Sequence, residues 1–255
     1  MNRITSRDNP LVRQLRTLAR DNTAYRQHGR VWIEGDHLCR AALDRGVRPE
    51  HAVFAESHWD SVPEDWKTAA PRQTVLPDRL FAEISGLESP ARMGFLVVLP
   101  SVKAVEPAVS SVVLDRVQDA GNVGSILRSA AAFGFRQVLA IKGTAALWSP
   151  KVIRAGMGAH FALSLQEGLE PAVLDGLSVP VVVTSSHQGP ALHELARDGR
   201  LPRVCAWVLG HEGQGVSEAL MDRAGLRVRI DQPGGEESLN VAAAAAICLH
   251  ASATA

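Results

Sequence analysis

Three stretches of this chain join glycine to polar side chains of the kind that hold a ligand: "DRVQDAGNVGSILRSAAAFG" (115–134), "WVLGHEGQGVSEAL" (207–220) and "GGEESLNVAAAAAICLH" (234–250). In the first, Gly121 and Gly124 permit a tight turn, and Asn122 stands where a helix N-cap is expected. Ile126, Leu127, Ala130 and Phe133 then share a core-facing side, while Ser125 and Arg128 share the exposed one. In the second, a buried strand ends at Gly210, and Gly210, Gly213 and Gly215 surround Glu212, which implies close approach of the backbone to another group. In the third, the strand "LRVRI" ends at Ile230 and Ser238 and Asn240 bracket the start of an alanine helix. Ser238 as N-cap explains one of these two residues. It leaves Asn240, a poor helix former, without a reason to be there. Each stretch alone is equally an ordinary capped helix or a glycine turn.

Several chemistries are excluded by what these stretches lack. No Gly-Lys-Ser/Thr follows the glycines of 210–215, so there is no phosphate loop, and no Gly-x-Ser-x-Gly elbow occurs. His211-Glu212 has no second His three residues beyond Glu212, as a metalloprotease helix requires. "AGMGAH" (155–160) holds only a fragment of a dinucleotide fingerprint and follows a helix signal. His187 and His193 have no acidic partner at ligand spacing, and Cys39, Cys205 and Cys248 have no metal-type spacing. No metal is expected.

Composition is that of a soluble globular chain: 255 residues, 46% hydrophobic, 21% charged, with 27 basic and 27 acidic residues. The charge is uneven. Arg3, Arg7, Arg13, Arg16, Arg20, Arg26 and Arg30 face only Asp8 and Asp21 in the first 30 residues, a local excess of five positive charges. This is either a phosphate-facing surface or a solvated amphipathic helix. No apolar run approaches the roughly 20 residues of a membrane span. The odd cysteine count suits reduced thiols, and a cytoplasmic location is expected.

The elements that must carry these residues alternate helix and strand. "NPLVRQLRTLAR" reads as a helix with Asn9 as N-cap, Pro10 at its first position and Leu11, Leu15 and Leu18 on one face. "RVWIEG", "DHLCRAALDRG", "HAVFAE", "QTVLP", "PDRLFAEISG" and "GFLVVLP" continue the alternation to Pro100, and "SVKAVEPAVS" (101–110) reads as a linker. From Ser110 the pattern is regular: "SVVLDRV", helix 122–133, "FRQVLAI", helix 149–157, "VPVVVTS", "RVCAWVLG", helix 216–224, "LRVRI" and the alanine helix. Buried strands alternating with helices predict a mostly parallel, doubly covered α/β sheet, whose ligands bind beyond the carboxyl ends of the strands.

Taken in order, "NVGSILRSAAAFG", "LGHEGQGV" and "ESLNVAAAAAI" resemble the SpoU (TrmH-type) family of RNA ribose 2'-O-methyltransferases, within the SPOUT superfamily. "SPKVIRAGMGAHF" (149–161) resembles the family's segment between the first two motifs, with His160 where an apolar residue is more usual. Ala120 and Ser129 stand where the family often has Pro and Thr. The N-terminal "ITSRDNPLVRQLRTLAR…VWIEGDHLCRAAL" is similar to the family's substrate-binding domain, related to ribosomal protein L30e.

The resemblance implies an L30e-like RNA-binding domain over 1–102, a linker over 103–110, and a SPOUT domain over 111–255 whose C-terminal segment forms a deep trefoil knot. It implies S-adenosylmethionine as cofactor, a homodimer with its site at the subunit interface, and structured RNA, 23S rRNA foremost, as substrate. By motif, Gly210, Ile230 and Leu239 contact the cofactor largely through backbone, with Thr184 beside them. Asn122, Arg128, Glu212, Ser238 and Asn240 form the catalytic and RNA-contacting set. Two alternatives stay open: a tRNA 2'-O-methyltransferase, and a catalytically silent dimeric RNA-binding protein.

Overall fold

The computed structural model describes residues 2–87, 89–185, 188–234 and 238–255, so His187 lies outside the described residues. The strands are β1 (Asn2–Arg3), β2 (Arg30–Glu34), β3 (His51–Ala55), β4 (Arg72–Leu76), β5 (Met93–Val98), β6 (Ser111–Leu114), β7 (Gln137–Ile141), β8 (Ser164–Leu169), β9 (Val181–Thr184), β10 (Ala206–Leu209) and β11 (Leu226–Val228). The α-helices are α1 (Pro10–Arg20), α2 (Ala24–His28), α3 (Asp36–Asp44), α4 (Glu64–Lys67), α5 (Asp78–Ile84), α6 (Ala120–Ala132), α7 (Pro150–Gly156), α8 (Leu192–Arg197), α9 (Glu218–Met221) and α10 (Val241–Thr254).

The chain divides into two compact units: residues 1–101 with 148–161, and residues 102–147 with 162–255. The first is built on a mixed sheet of order β1-β4-β3-β5-β2, in which β5 runs antiparallel to both its neighbours. Helix α1 forms as the sequence predicts: the Asn9 side chain accepts from the Leu11 N–H at 2.9 Å, and Val12, Leu15, Leu18 and Ala19 are buried. They meet Trp32, Phe81, Ile84 and Leu96 in one core. Segment 148–161 packs in this unit through α7 against β2, with Arg154 reaching the buried Glu34. His160 is 2% exposed and tilts against the Trp148 ring at 5.1 Å, so its role is structural.

The second unit is an all-parallel sheet of order β11-β9-β10-β6-β7-β8. Valine-rich strands buried on both faces are what such a sheet requires. From β6 the chain runs outward through β7 and β8; β9 and β10 lie on the other side. The strand order therefore reverses between β6 and β10, the place where α/β sheets open a crevice. Helix α10 packs on α6, and its buried Ser252 hydroxyl takes the Trp207 indole N–H at 2.9 Å. The linker is tied down by the buried Gln137, which donates to the Glu106 carbonyl and accepts from the Glu106 N–H.

Several boundaries differ from expectation. Helix α6 starts at Ala120, because Asp119 is its N-cap and accepts from the Asn122 N–H at 2.7 Å. Asn122 thus sits in the first turn with its side chain unspent on the cap. Phe133 is not a core residue of α6; it ends that helix half-buried, edge-on to His250 at 5.3 Å. Helix α9 is shorter than 216–224, since Ser217 is extended and its N–H is held elsewhere. Helix α10 is capped by Asn240, not Ser238: the Asn240 Oδ1 accepts from Ala242 and Ala243.

Candidate active site

The carboxyl ends of β6, β9, β10 and β11 lie side by side in the second unit, with Thr184 in register with Val228 and Leu209 with Leu114. Beyond β10 the chain turns back on itself at once. The His211 N–H donates to the Gly215 carbonyl at 3.0 Å and the Gly215 N–H returns the bond at 2.8 Å. A Cβ at position 210 would stand 2.2 Å from the Gly215 carbonyl carbon, so only glycine fits where the sequence placed one.

Glu212 projects from this loop onto the turn before α6. Its Oε1 accepts from the Asp119 N–H at 3.2 Å and the Asn122 side-chain amide at 3.1 Å, and its Oε2 from the Gln118 N–H at 3.3 Å. Burial alone would raise its carboxyl; hydrogen bonds from the Asn122 amide and from the backbone of Glu212, Asp119 and Gln118 outweigh this and hold it below its ordinary value. The Asn122 Oδ1 in turn accepts from the Asn240 side-chain amide at 3.0 Å. Three residues from three separate motifs therefore form one chain, Asn240 to Asn122 to Glu212. Every donor in it faces an acceptor.

Arg128 and Ser238 are exposed, and their side chains make no hydrogen bond or ion pair with another described residue. Arg128 is thus a free cation on α6, the helix that begins at Asn122's turn. Of the four residues expected around a cofactor, Thr184 ends β9 and donates to the Val208 carbonyl at 3.3 Å, and Gly210 follows β10. Ile230 is half-buried just past β11, and Leu239 leaves its apolar side chain 40% exposed. The segment leading to Ile230 is held by the Arg229 N–H to the Pro190 carbonyl and the Leu192 N–H to the Arg229 carbonyl. Backbone groups flanked by the half-buried Ile230 and the exposed Leu239 fit a flat, polar-edged heterocycle.

Sequence reasoning missed Asp115 and Arg116. Asp115 is 1% exposed, accepts from the Ser217 N–H at 2.6 Å, and pairs with Arg116. A charged pair directly after a buried strand was the available signal. A cavity of about 550 Å³ also lies along α10, lined by Phe133, Leu192, Ile230, Ile247 and His250 among others.

The model of the SpoU rRNA methylase family matches residues 110–250. The chain is 31% identical over 222 residues to the 23S rRNA (guanosine(2553)-2'-O)-methyltransferase RlmP of Bacillus subtilis, covering 86% of each protein. It is 33% identical over 270 residues to an uncharacterized tRNA/rRNA methyltransferase of Synechocystis, covering 97% of this chain and 92% of that one. An AdoMet-bound rRNA methyltransferase of Sinorhizobium meliloti superposes with a TM-score of 0.80 at 24% identity, over 98% of this chain and 97% of that one, and so shares the fold. By its three ordered motifs, its parallel sheet and these relatives, this chain belongs to the SpoU family of RNA methyltransferases.

Proposed function

We propose that this protein transfers a methyl group from S-adenosylmethionine to a ribose 2'-hydroxyl in structured RNA, with 23S rRNA as the substrate class. The observation that carries this reading is the hydrogen-bonded chain Asn240–Asn122–Glu212 at the point where the strand order reverses. It fixes the orientation of two amides at the mouth of the crevice. That suits a reaction in which positioning of two bound partners supplies much of the rate.

S-adenosylmethionine, when bound, supplies an electrophilic methyl on a sulfonium. Thr184, Gly210, Ile230 and Leu239 would hold it, largely through backbone groups. Arg128 would bind the target phosphate and stabilise the negative charge that develops on the 2'-oxygen as its proton passes to solvent water. A guanidinium stays charged in ordinary surroundings, which favours this role over that of a general base. Ser238 and Asn240 would orient the ribose, and Glu212 would hold Asn122 and its turn in place.

In the same reading the segment after β11 completes a trefoil knot. Gly189 lets the chain after β9 lie close along β11, since a Cβ there would stand 2.2 Å from the Arg227 carbonyl oxygen. The half-exposed Ile247 and the apolar cavity beside it favour a second copy packed along α10 and α6, giving a homodimer. The L30e-like unit would contact RNA through fewer arginines than the sequence suggests. Arg3, Arg16 and Arg30 pair with Glu56, Glu83 and Glu50, Arg20 donates to the Glu83 carbonyl and Arg26 to the Tyr25 hydroxyl, which leaves the side chains of Arg7 and Arg13 exposed without partners among the described residues. All three cysteines are free and buried, as in a reducing, cytoplasmic setting, and no described helix is long and apolar enough to cross a membrane.

The test is transfer of labelled methyl from S-adenosylmethionine to total RNA of a strain lacking the gene. The modified linkage is then mapped by its resistance to alkaline hydrolysis. Label at one ribose in 23S rRNA is the expected result. Label in tRNA would move the substrate class, and cofactor binding with no transfer to any cellular RNA would leave a silent RNA-binding protein.

A further inference from the structure

The loop that carries Glu212 is gripped from a second side, by residues none of the three motifs required. Asp115 directly follows β6, and its N–H donates to the Leu209 carbonyl at 2.8 Å. Its buried carboxylate divides its two oxygens: Oδ2 accepts from the Ser217 N–H at 2.6 Å and Oδ1 from the Arg116 Nε–H at 3.0 Å. Arg116 then extends across the surface, and its Nη1 donates to the Gln214 Oε1 at 2.9 Å. The middle of the loop and its exit are thus both tied to the end of β6.

Arg116 adopts a left-handed φ of 59°, a conformation rare for a residue with a side chain. The surroundings impose it. The Arg116 N–H donates to the Thr144 hydroxyl at 3.1 Å, and that hydroxyl donates to the Leu114 carbonyl at 2.9 Å. A Cβ at Gly143 would come within 3.2 Å of the Arg116 Cγ, so glycine leaves the space the side chain crosses. An over-determined left-handed residue beside a ligand crevice is where strain serves to hold a geometry.

We propose that Asp115 and Arg116 are positioning residues of the methyl-transfer site, acting by clamping the loop 211–217 so that Gly210 and Glu212 stand at fixed places on the crevice. The inference rests on the methyltransferase reading above. Neither residue touches the reacting atoms. Glu212 ties the loop to the turn before α6, and the clamp ties it to β6. Both ties are needed because a seven-residue loop that contains Gly213 and Gly215 has little stiffness of its own.

Asp115→Asn in the full chain breaks the clamp with no change of volume, because an NH2 replaces one carboxylate oxygen and either the Ser217 N–H or the Arg116 Nε–H then faces a donor. Three quantities are read: hydrogen exchange of amides 211–217, the dissociation constant for S-adenosylmethionine by calorimetry, and the KM for RNA against kcat. The amides should exchange faster, and cofactor affinity and kcat should each fall about tenfold, on the scale of a sub-ångström misplacement. The KM for RNA should stay within about twofold, since the clamp holds neither Arg7 nor Arg13. Gln214→Ala, at an exposed position, cuts only the outer tie and should weaken cofactor binding about threefold. It decides the matter if Asp115→Asn does not fold. Cofactor affinity unchanged in the variants, whether or not the loop loosens, would overturn the clamp while a binding wild type leaves the methyltransferase reading standing. A wild type that binds no S-adenosylmethionine would remove that reading and this inference together.

Discussion

Two helices of this protein begin with the same residue, and the two asparagines are used differently. At Asn9 the side-chain oxygen accepts from the Leu11 N–H and the cap ends there. At Asn240 the oxygen caps α10 through Ala242 and Ala243, and the NH2 donates to Asn122, which passes the connection to Glu212. Half of the amide satisfies a helix end. The other half reaches out of the element. A cap that uses one half of the group is an element of stability, and a cap that uses both joins secondary structure to a site.

The neighbouring arginines sharpen the contrast. Arg13 on α1 and Arg128 on α6 are both exposed, with side chains that have no partner among the described residues. Arg128→Ala should lower methyl transfer by about 10²–10³-fold, the scale of losing one preorganised donor to developing charge, with cofactor affinity unchanged. Arg13→Ala should leave kcat alone and weaken RNA binding only through salt, cutting the slope of log K against log salt by about one. Transfer rates and filter binding at several salt concentrations measure both. Equal effects of the two substitutions would dissolve the distinction.

Asn240→Asp is the next largest. Aspartate caps as well as asparagine, so the melting temperature should hold. Its second oxygen would face the Asn122 Oδ1, acceptor against acceptor, and single-turnover transfer should fall about tenfold or more as the chain to Glu212 misaligns. A variant that melts and turns over as the wild type does would make Asn240 a cap and nothing else.

This contrast also shows what the sequence made legible. The alternation of buried strands and helices declared the parallel sheet, and Asn9 followed by Pro10 declared α1, because caps and periodicity are local properties of a chain. Asn240 stood out because its helix did not need it, and Asn122 and Glu212 were marked by the motifs they belong to. Their direct bonding was not legible, since it joins residues 90 and 118 positions apart. The caps at Asp119 and Asn240 were misassigned to Asn122 and Ser238 because a loop can deliver any of several polar residues to a helix start, and only the backbone path chooses. Asp115 was passed over for a related reason, although its place directly after a buried strand was a signal. A buried carboxylate looks costly until the Ser217 N–H that satisfies it is folded beside it.

At the Asn9 end, Asn9→Ala should cost about 1 kcal/mol, seen as a melting point lower by roughly 2–4 °C in a chain of this size, with transfer unchanged. A loss of transfer there would mean that this cap, too, reaches a site.

The smallest effect concerns pH, and it separates the two ends because only one contains an ionisable group. Glu212 is held below its ordinary value of 4.5, since the donors from Asn122, Asp119 and Gln118 outweigh its burial. A carboxyl depressed in the folded chain contributes its share above the unfolded value and loses it as pH falls through the folded one. The bond between the 211–217 loop and the turn before α6 should therefore persist to below pH 4.5 and loosen only there, while the Asn9 cap does not respond. Carboxyl NMR should give Glu212 a midpoint under 4.5, and Asn122→Ala should move that midpoint up, because it removes the strongest lowering bond and leaves burial to act. A midpoint that ignored Asn122→Ala would mean that the amide does not hold the carboxylate in solution, and the chain from Asn240 to Glu212 would end at Asn122.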